Sequence, residues 1–368
     1  MNTIETLWSS RPRTTALCAG CATWGLSILL YFSWVMMIPE NRYRWDAFLG
    51  LCKDPLRRDI AYPILYYRIT VPLIAYILNL PPILTFAIQY VAIIIALSII
   101  FYFVAKRIDA TAALILSAAL ACSAFTQWGN LYPGIPDSVS LMLAAICLLP
   151  VKSITYLPIV LLGALNDERM LFALPFIILL KHPNLFEFRS AFRKAFGDGI
   201  WMSGGILLWV GIRLMLKIGV IGPGIDTPQI YKEFPETIFS LTPYSQTWFT
   251  WMWNAYMGLR GLWIIPILVI ILNASHICYR MFYLMCWIAI VASTIIVADV
   301  SRSLGFAFTG VLCGVMMLYR IMSASVLKKL LLGISVFQII TPTGFYIGGT
   351  ILWLAPPLYK LLREIGLL

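Results

Sequence analysis

The sequence predicts an all-α polytopic membrane protein, one integral domain over residues 1–368, and three observations carry that prediction. Of the 368 residues 61% are hydrophobic and the mean hydropathy is +0.88, well above the roughly 45–50% apolar content of a soluble domain. Apolar runs recur near the length that crosses a hydrocarbon layer of ~30 Å. These runs are continuously apolar, whereas the strands of a membrane barrel alternate. The 27 basic and 16 acidic residues give a formal charge of +11. Lys and Arg gather in short loops, which the positive-inside rule assigns to the cytosol. No basic run with interleaved aromatics sits on a polar domain, so membrane lipids are expected partners and nucleic acid is not.

Arg11 and Arg13 precede an apolar run at about 16–38. It exceeds a signal-peptide core of roughly 7–15 residues and lacks a small-residue cleavage site. It reads as a signal anchor with a cytosolic N-terminus, so residues 39–82 form the first extracytoplasmic loop. Within that loop, 70–80 is apolar but stops at Pro81-Pro82. The run 83–104 ends at Lys106-Arg107, and if it travels inward then 70–80 cannot have crossed. A re-entrant or interfacial helix is therefore expected there, as in a backbone covered by protein.

Further segments follow at about 111–127, 138–150, 154–165, 170–180, 200–220, 262–274, 279–298 and 303–318, with a closing hairpin over 330–358 that turns near Thr341–Gly344. The polar stretch 181–198 is assigned to the cytosol by its charge. Residues 221–260 form a second large outer loop, whose Trp248, Trp251 and Trp253 suit an interfacial belt. The total is about ten to twelve membrane segments.

This topology, set by Lys and Arg, sorts most acidic residues to the outer face. Asp46, Asp54, Asp59, Asp137, Asp167, Glu168, Asp226, Glu233, Glu236 and Asp299 all fall there. Three aspartates and several arginines share the stretch 46–68, although only 12% of the chain is charged. A carboxylate beside an acceptor hydroxyl can take its proton during attack. Arginine matches phosphate with a planar fork and stabilises charge on a phosphate leaving group. Asn166-Asp167-Glu168-Arg169 stands between two short apolar runs, where ionisable groups must be paired or line a wet cavity. Each motif also has a plainer reading. Asp54-Pro55 fits the N-cap and first position of a helix, Arg57 and Arg58 suit lipid headgroups, and Asp299 with Arg302 fits a local pair at a helix start. Neither the Cys18–Cys21 spacing, which has no second pair, nor the isolated His182 and His276 form a metal motif.

At these residues the chain resembles the GT-C superfamily of membrane glycosyltransferases, which use polyprenyl-phosphate-linked sugars outside the cytosol. The resemblance rests on Asp46-Ala47-Phe48, Lys53-Asp54-Pro55 and Tyr67-Arg68 ahead of a Pro-containing apolar segment. It is similar to the arrangement in bacterial members. Gly129…Pro136-Asp137 and Gly163…Asn166–Arg169 match more loosely, and the second half of the chain matches only in its pattern of spans. The resemblance implies a bacterial plasma-membrane enzyme with its active face outside. Such an enzyme moves a sugar from a lipid-phosphate donor to a lipid, glycan or protein acceptor by inverting displacement. It implies Asp46 or Asp54 as catalytic carboxylate. Arg57, Arg58, Arg68, Asp137, Asn166, Asp167, Glu168, Arg169, Asp299 and Arg302 would form the substrate and phosphate site. No cofactor is required by this pattern, and a divalent cation is the one candidate. The competing expectation is a transporter or flippase with a coupled site at Asp167-Glu168-Arg169.

Overall fold

In a computed structural model the chain is described at residues 2–31, 42–57, 63–131, 137–222, 248–294, 300–341, 343–347 and 350–354. Helices dominate. An amphipathic α1 (Asn2–Ser10) leads into α2 (Pro12–Tyr31), and α3 (Arg42–Lys53) and α4 (Thr70–Ile77) lie in the first loop. Then follow α5 (Pro82–Ala105), α6 (Ala110–Ala121), α7 (Ala124–Leu131), α8 (Asp137–Ile146), α9 (Tyr156–Asn166), α10 (Leu174–Lys181) and α11 (Arg189–Lys217). The second half holds α12 (Trp248–Leu259), α13 (Ile264–Ile271), α14 (Ile277–Ser293), α15 (Val300–Gly305), α16 (Phe308–Tyr319) and α17 (Ala324–Ile340). Strands β1 (Thr343–Ile347) and β2 (Thr350–Leu354) close the described chain.

The bundle has two distinct ends. At the lower end, Lys181 donates to the Leu149 carbonyl at 3.2 Å, Asp198 meets His182 and Ser153, and Lys328 pairs with Asp109 at 3.1 Å. At the upper end Arg68, Asp137, Asp167, Arg169 and Arg302 converge. Helices α8 and α10 therefore descend and α9 rises, as the alternation of the sequence requires. Three stretches are long and apolar enough to cross a membrane: Pro82–Ala105, Arg189–Lys217 and Trp251–Ile271. The outward faces of α11, α13 and α14 stay apolar, with Leu207, Ile271 and Met285 more than 60% exposed.

Close helix approaches depend on small residues. A Cβ on Gly20 of α2 would lie 2.8 Å from the Ile94 carbonyl oxygen of α5, and one on Gly205 of α11 would lie 2.7 Å from that of Leu157 in α9. Both distances are inside van der Waals contact, so these helix pairs meet backbone to backbone.

The first loop is a folded cap. Ala47, Phe48 and Leu51 of α3 join Leu65, Val71, Ala92, Val139 and Leu216 in a small apolar core of their own. Helix α4 has eight residues, about 12 Å of rise, too short to cross. Asn79 ends it in the left-handed region at φ 48°, which asparagine tolerates, and the Leu80 N–H reaches back to the Ala75 carbonyl at 2.9 Å. Pro82 then occupies the first turn of α5, where a missing N–H costs nothing.

Four expectations need correction. The segment expected at about 200–220 starts earlier, because its helix α11 already begins at Arg189 and runs for 29 residues. The Gly and Pro content of 127–137 reads as a loop between the segments 111–127 and 138–150, yet residues 127–131 belong to α7. Likewise α12 extends helix back to Trp248, inside the stretch expected as outer loop. Among the described residues the closing hairpin has one helix, not two: α17 rises alone, and Thr343–Ile347 pairs antiparallel with Thr350–Leu354, Phe345 in register with Leu352. The β-branched and aromatic residues of the two strands favour that ribbon, a signal hidden by the overall hydropathy.

Candidate functional site

Two groups of charged side chains occupy the upper end, and they differ in kind. The first is a buried hub. Arg68 follows a 3-10 turn at Pro63–Tyr67 and is held over α9 by two bonds beside it. The Ile69 N–H donates to Leu165 O at 3.0 Å, and Thr70 Oγ1 donates to Leu162 O at 2.7 Å. Asp137 opens α8, where a carboxylate complements the helix dipole. Asp167 sits in the extended break between α9 and the 3-10 segment Glu168–Ala173, accepting the Arg169 N–H at 3.0 Å.

The ion pairs interlock. Arg68 Nη1 lies 2.6 Å from Asp137 Oδ1 and 3.2 Å from Asp167 Oδ2. Arg169 grips Asp167 through Nε at 2.8 Å and Nη2 at 2.5 Å, and reaches Asp137 at 3.3 Å. Arg302 of α15 takes Asp137 by Nε and by Nη2, the latter at 2.6 Å. All five side chains are nearly or wholly buried. Bidentate charge-assisted bonds offset much of the desolvation of such groups, and deleting one partner leaves a buried charge uncompensated. The hub ties the first-loop cap to α8, the α9–α10 turn and α15.

Behind it, Asn166 donates to Ser140 Oγ at 2.8 Å, and Ser140 donates to the Gly163 carbonyl at 2.8 Å. Glu168 points away from the hub. It is about half exposed and pairs with Arg213 of α11 at 3.4 Å, whose guanidinium lies 4.3 Å from the Tyr67 ring centroid.

The second group lies along α3. Its inner face is Ala47, Phe48 and Leu51, and its outer face is Asp46, Leu49, Gly50 and Lys53, spaced i, i+3, i+4 and i+7 on one helical stripe. That outer stripe lines a cavity of about 980 Å³, together with Cys52, Arg57, Ala75, Tyr76, Asn79, Leu80, Pro81, Pro82 and Thr85. Asp46 and Lys53 are thus about 10 Å apart along the helix, with Gly50 leaving room between them. The rest of the wall mixes apolar residues with Arg57, Asn79 and Thr85, and Ile77 and Ile83 are strongly exposed.

The expected site residues therefore divide. Asp46 and Arg57 share the α3 cavity, while Arg68, Asp137, Asp167, Arg169 and Arg302 share the hub. None of the hub residues lines the α3 cavity. Asp54 belongs to neither: it starts no helix, and its carboxylate accepts the Leu56 N–H at 3.1 Å in a turn after α3. Arg58 and Asp299 lie outside the described residues, as does Asp59. Lys53, read only as part of the Lys53-Asp54-Pro55 motif, and Asn79 were given no role in the site by the sequence; the helical period from Asp46 would have given one to Lys53. Arg260 was also missed. It is 1% exposed, sits at φ 47°, and donates to the Thr341 carbonyl at 2.6 Å and to the Cys122 carbonyl. A buried guanidinium there closes the C-terminal ends of α17 and α6. Among the described residues no three His, Cys, Asp or Glu side chains are arranged to hold a metal ion.

Compared with known protein families, curated proteins and solved structures, the chain matches none of them.

Proposed function

We propose that the chain is a polytopic membrane glycosyltransferase that takes a sugar from a polyprenyl-phosphate donor at its extracytoplasmic end. The membrane part of this reading is supported by three membrane-length helices and by the apolar faces they leave uncovered. With Lys106, Lys181 and Lys328 at the lower end, the positive-inside rule puts that end in the cytosol and the α3 cavity outside.

The observation that carries the chemical part is the α3 stripe: one carboxylate, a small residue, then a cation, two helical turns apart and lining one cavity with Arg57. That spacing suits a sugar bounded by an acceptor hydroxyl on one side and a phosphate on the other. Asp46 accepts the acceptor's proton while its oxygen attacks the anomeric carbon. The bond from that carbon to the phosphate oxygen breaks, and the departing polyprenyl phosphate takes the negative charge toward Lys53 and Arg57. A single displacement inverts the anomeric centre. A retaining route calls for a second carboxylate about 5 Å away, and among the described residues Asp46 is the only carboxylate lining the cavity. The hub acts as the support that fixes the cap bearing α3. A coupled transport site at Asp167–Arg169 is less well supported, because both side chains are buried and held by each other.

The test is mass spectrometry of lipid-linked sugars and surface glycans from cells with and without the protein. Loss of one glycan feature with build-up of a lipid-linked sugar is expected. Identical profiles would sink the proposal. Sidedness is tested by membrane-impermeant thiol labelling of Lys53→Cys and Lys329→Cys in a background without other cysteines. Lys53→Cys should label from outside and Lys329→Cys only from the cytosol; the reverse overturns the orientation.

A further inference from the structure

The lower end of the bundle carries a second pocket, of about 430 Å³, between the end of α5, the α8–α9 turn and the end of α10. Tyr102, Phe103, Leu148, Leu149 and Pro150 form its walls, and Lys106, Arg107 and Lys181 bring it three cations from two separate elements. No carboxylate lines it. We propose that this pocket holds the phosphodiester headgroup of an anionic phospholipid.

Two of the cations are held in place by contacts other than ion pairs. Arg107 lies with its guanidinium carbon 3.7 Å from the Phe103 ring centroid. Lys181 donates to the Leu149 carbonyl at 3.2 Å and lies 4.6 Å from the Tyr156 ring centroid. Among the described residues none of the three has a carboxylate within ion-pair distance. The neighbouring acids are engaged elsewhere. Glu5 binds the first N–H groups of α6 and the Thr111 hydroxyl, at 2.9 Å for the latter. Asp109 caps α6 and pairs with Lys328, and Asp198 bonds Ser153 and His182 and acts on Lys181 only beyond ion-pair distance. Burial pushes the Arg107 guanidinium down from its ordinary value, so a bound anion would relieve that site.

The walls favour a lipid over a free ion. The pocket opens at the last turn of a membrane-length helix, at the depth where headgroups lie, and Trp8 of α1 packs edge-on against Tyr102 at 5.6 Å between centroids. Aromatic rings and basic pockets at that level are a recurrent combination for anionic lipids. The inference takes the membrane reading as its premise and requires nothing of glycosyl transfer.

The test uses the full chain, purified in detergent and stripped of lipid. Native mass spectrometry would follow retention of phosphatidylglycerol, with phosphatidylcholine and inorganic phosphate as separate arms. Phosphatidylglycerol should be retained at least about tenfold better than phosphatidylcholine, and the triple variant Lys106→Gln, Arg107→Gln, Lys181→Gln should lose that preference. Should the triple variant fail to fold, Lys106→Glu decides, since it changes one exposed side chain and should weaken retention about fivefold. Equal retention of the two lipids, undiminished retention by the folded variant, or displacement of the lipid by inorganic phosphate at equal concentration would each overturn the proposal.

Discussion

The hub and the α3 stripe use the same residue types at the same end of the molecule and solve opposite problems. In the hub, three arginines and two aspartates are buried, and each carboxylate oxygen meets a guanidinium. On the stripe, Asp46 and Lys53 are exposed on a cavity wall, while Ala47, Phe48 and Leu51 of the same helix are buried. Buried charges that grip one another hold a fold together, whereas exposed charges on a cavity wall lie within reach of a substrate. The difference separates residues whose loss should unfold the protein from residues whose loss should silence it.

The sharpest way to break that comparison is Asp137→Ala. It removes the carboxylate gripped by three arginines and should cost about 3–5 kcal/mol, seen as collapse of folded yield and of the unfolding midpoint in detergent. A folded variant of ordinary stability would show that the hub is not structural. Next comes Asp46→Asn, expected to lower group transfer by about 10²–10⁴-fold, the usual contribution of a general base. Its stability should stay within about 0.5 kcal/mol of the parent. Retained activity removes Asp46 as base, and unfolding would erase the distinction between the two regions. The double change Lys53→Gln, Arg57→Gln should raise the apparent KM for donor about tenfold with the fold intact; an unchanged KM would move the phosphate elsewhere. The smallest effect belongs to Glu168→Gln, whose half-exposed pair with Arg213 is worth about 0–1 kcal/mol. A large loss of stability or activity would place Glu168 with the hub after all.

Much of this arrangement is legible in the sequence, and the rest is hidden for physical reasons. The failure of 70–80 to cross follows from chain direction, and Asn79, Pro81 and Pro82 write the turn in residue chemistry. Asn166–Arg169 announced itself because such a run cannot sit unpaired in an apolar chain. The partners were not legible: Asp137 meets Arg302 across 165 residues, a closure that no local pattern records. Hydropathy also hid the closing ribbon, since a strand with apolar residues on both faces and an apolar helix score alike. Arg260 escaped because it donates to the backbone carbonyls of Thr341 and Cys122 and to the Thr341 hydroxyl, with no acidic partner among these to mark it in the sequence.

The central claim is that Asp46, facing the α3 cavity, is the base for sugar transfer from a polyprenyl-phosphate donor. Its most direct test compares lipid-linked sugars and surface glycans, by mass spectrometry, in cells carrying the parent chain or Asp46→Asn at equal folded abundance. The account predicts that Asp46→Asn cells accumulate the lipid-linked donor and lose the glycan, as cells lacking the protein do. Profiles matching the parent would contradict it.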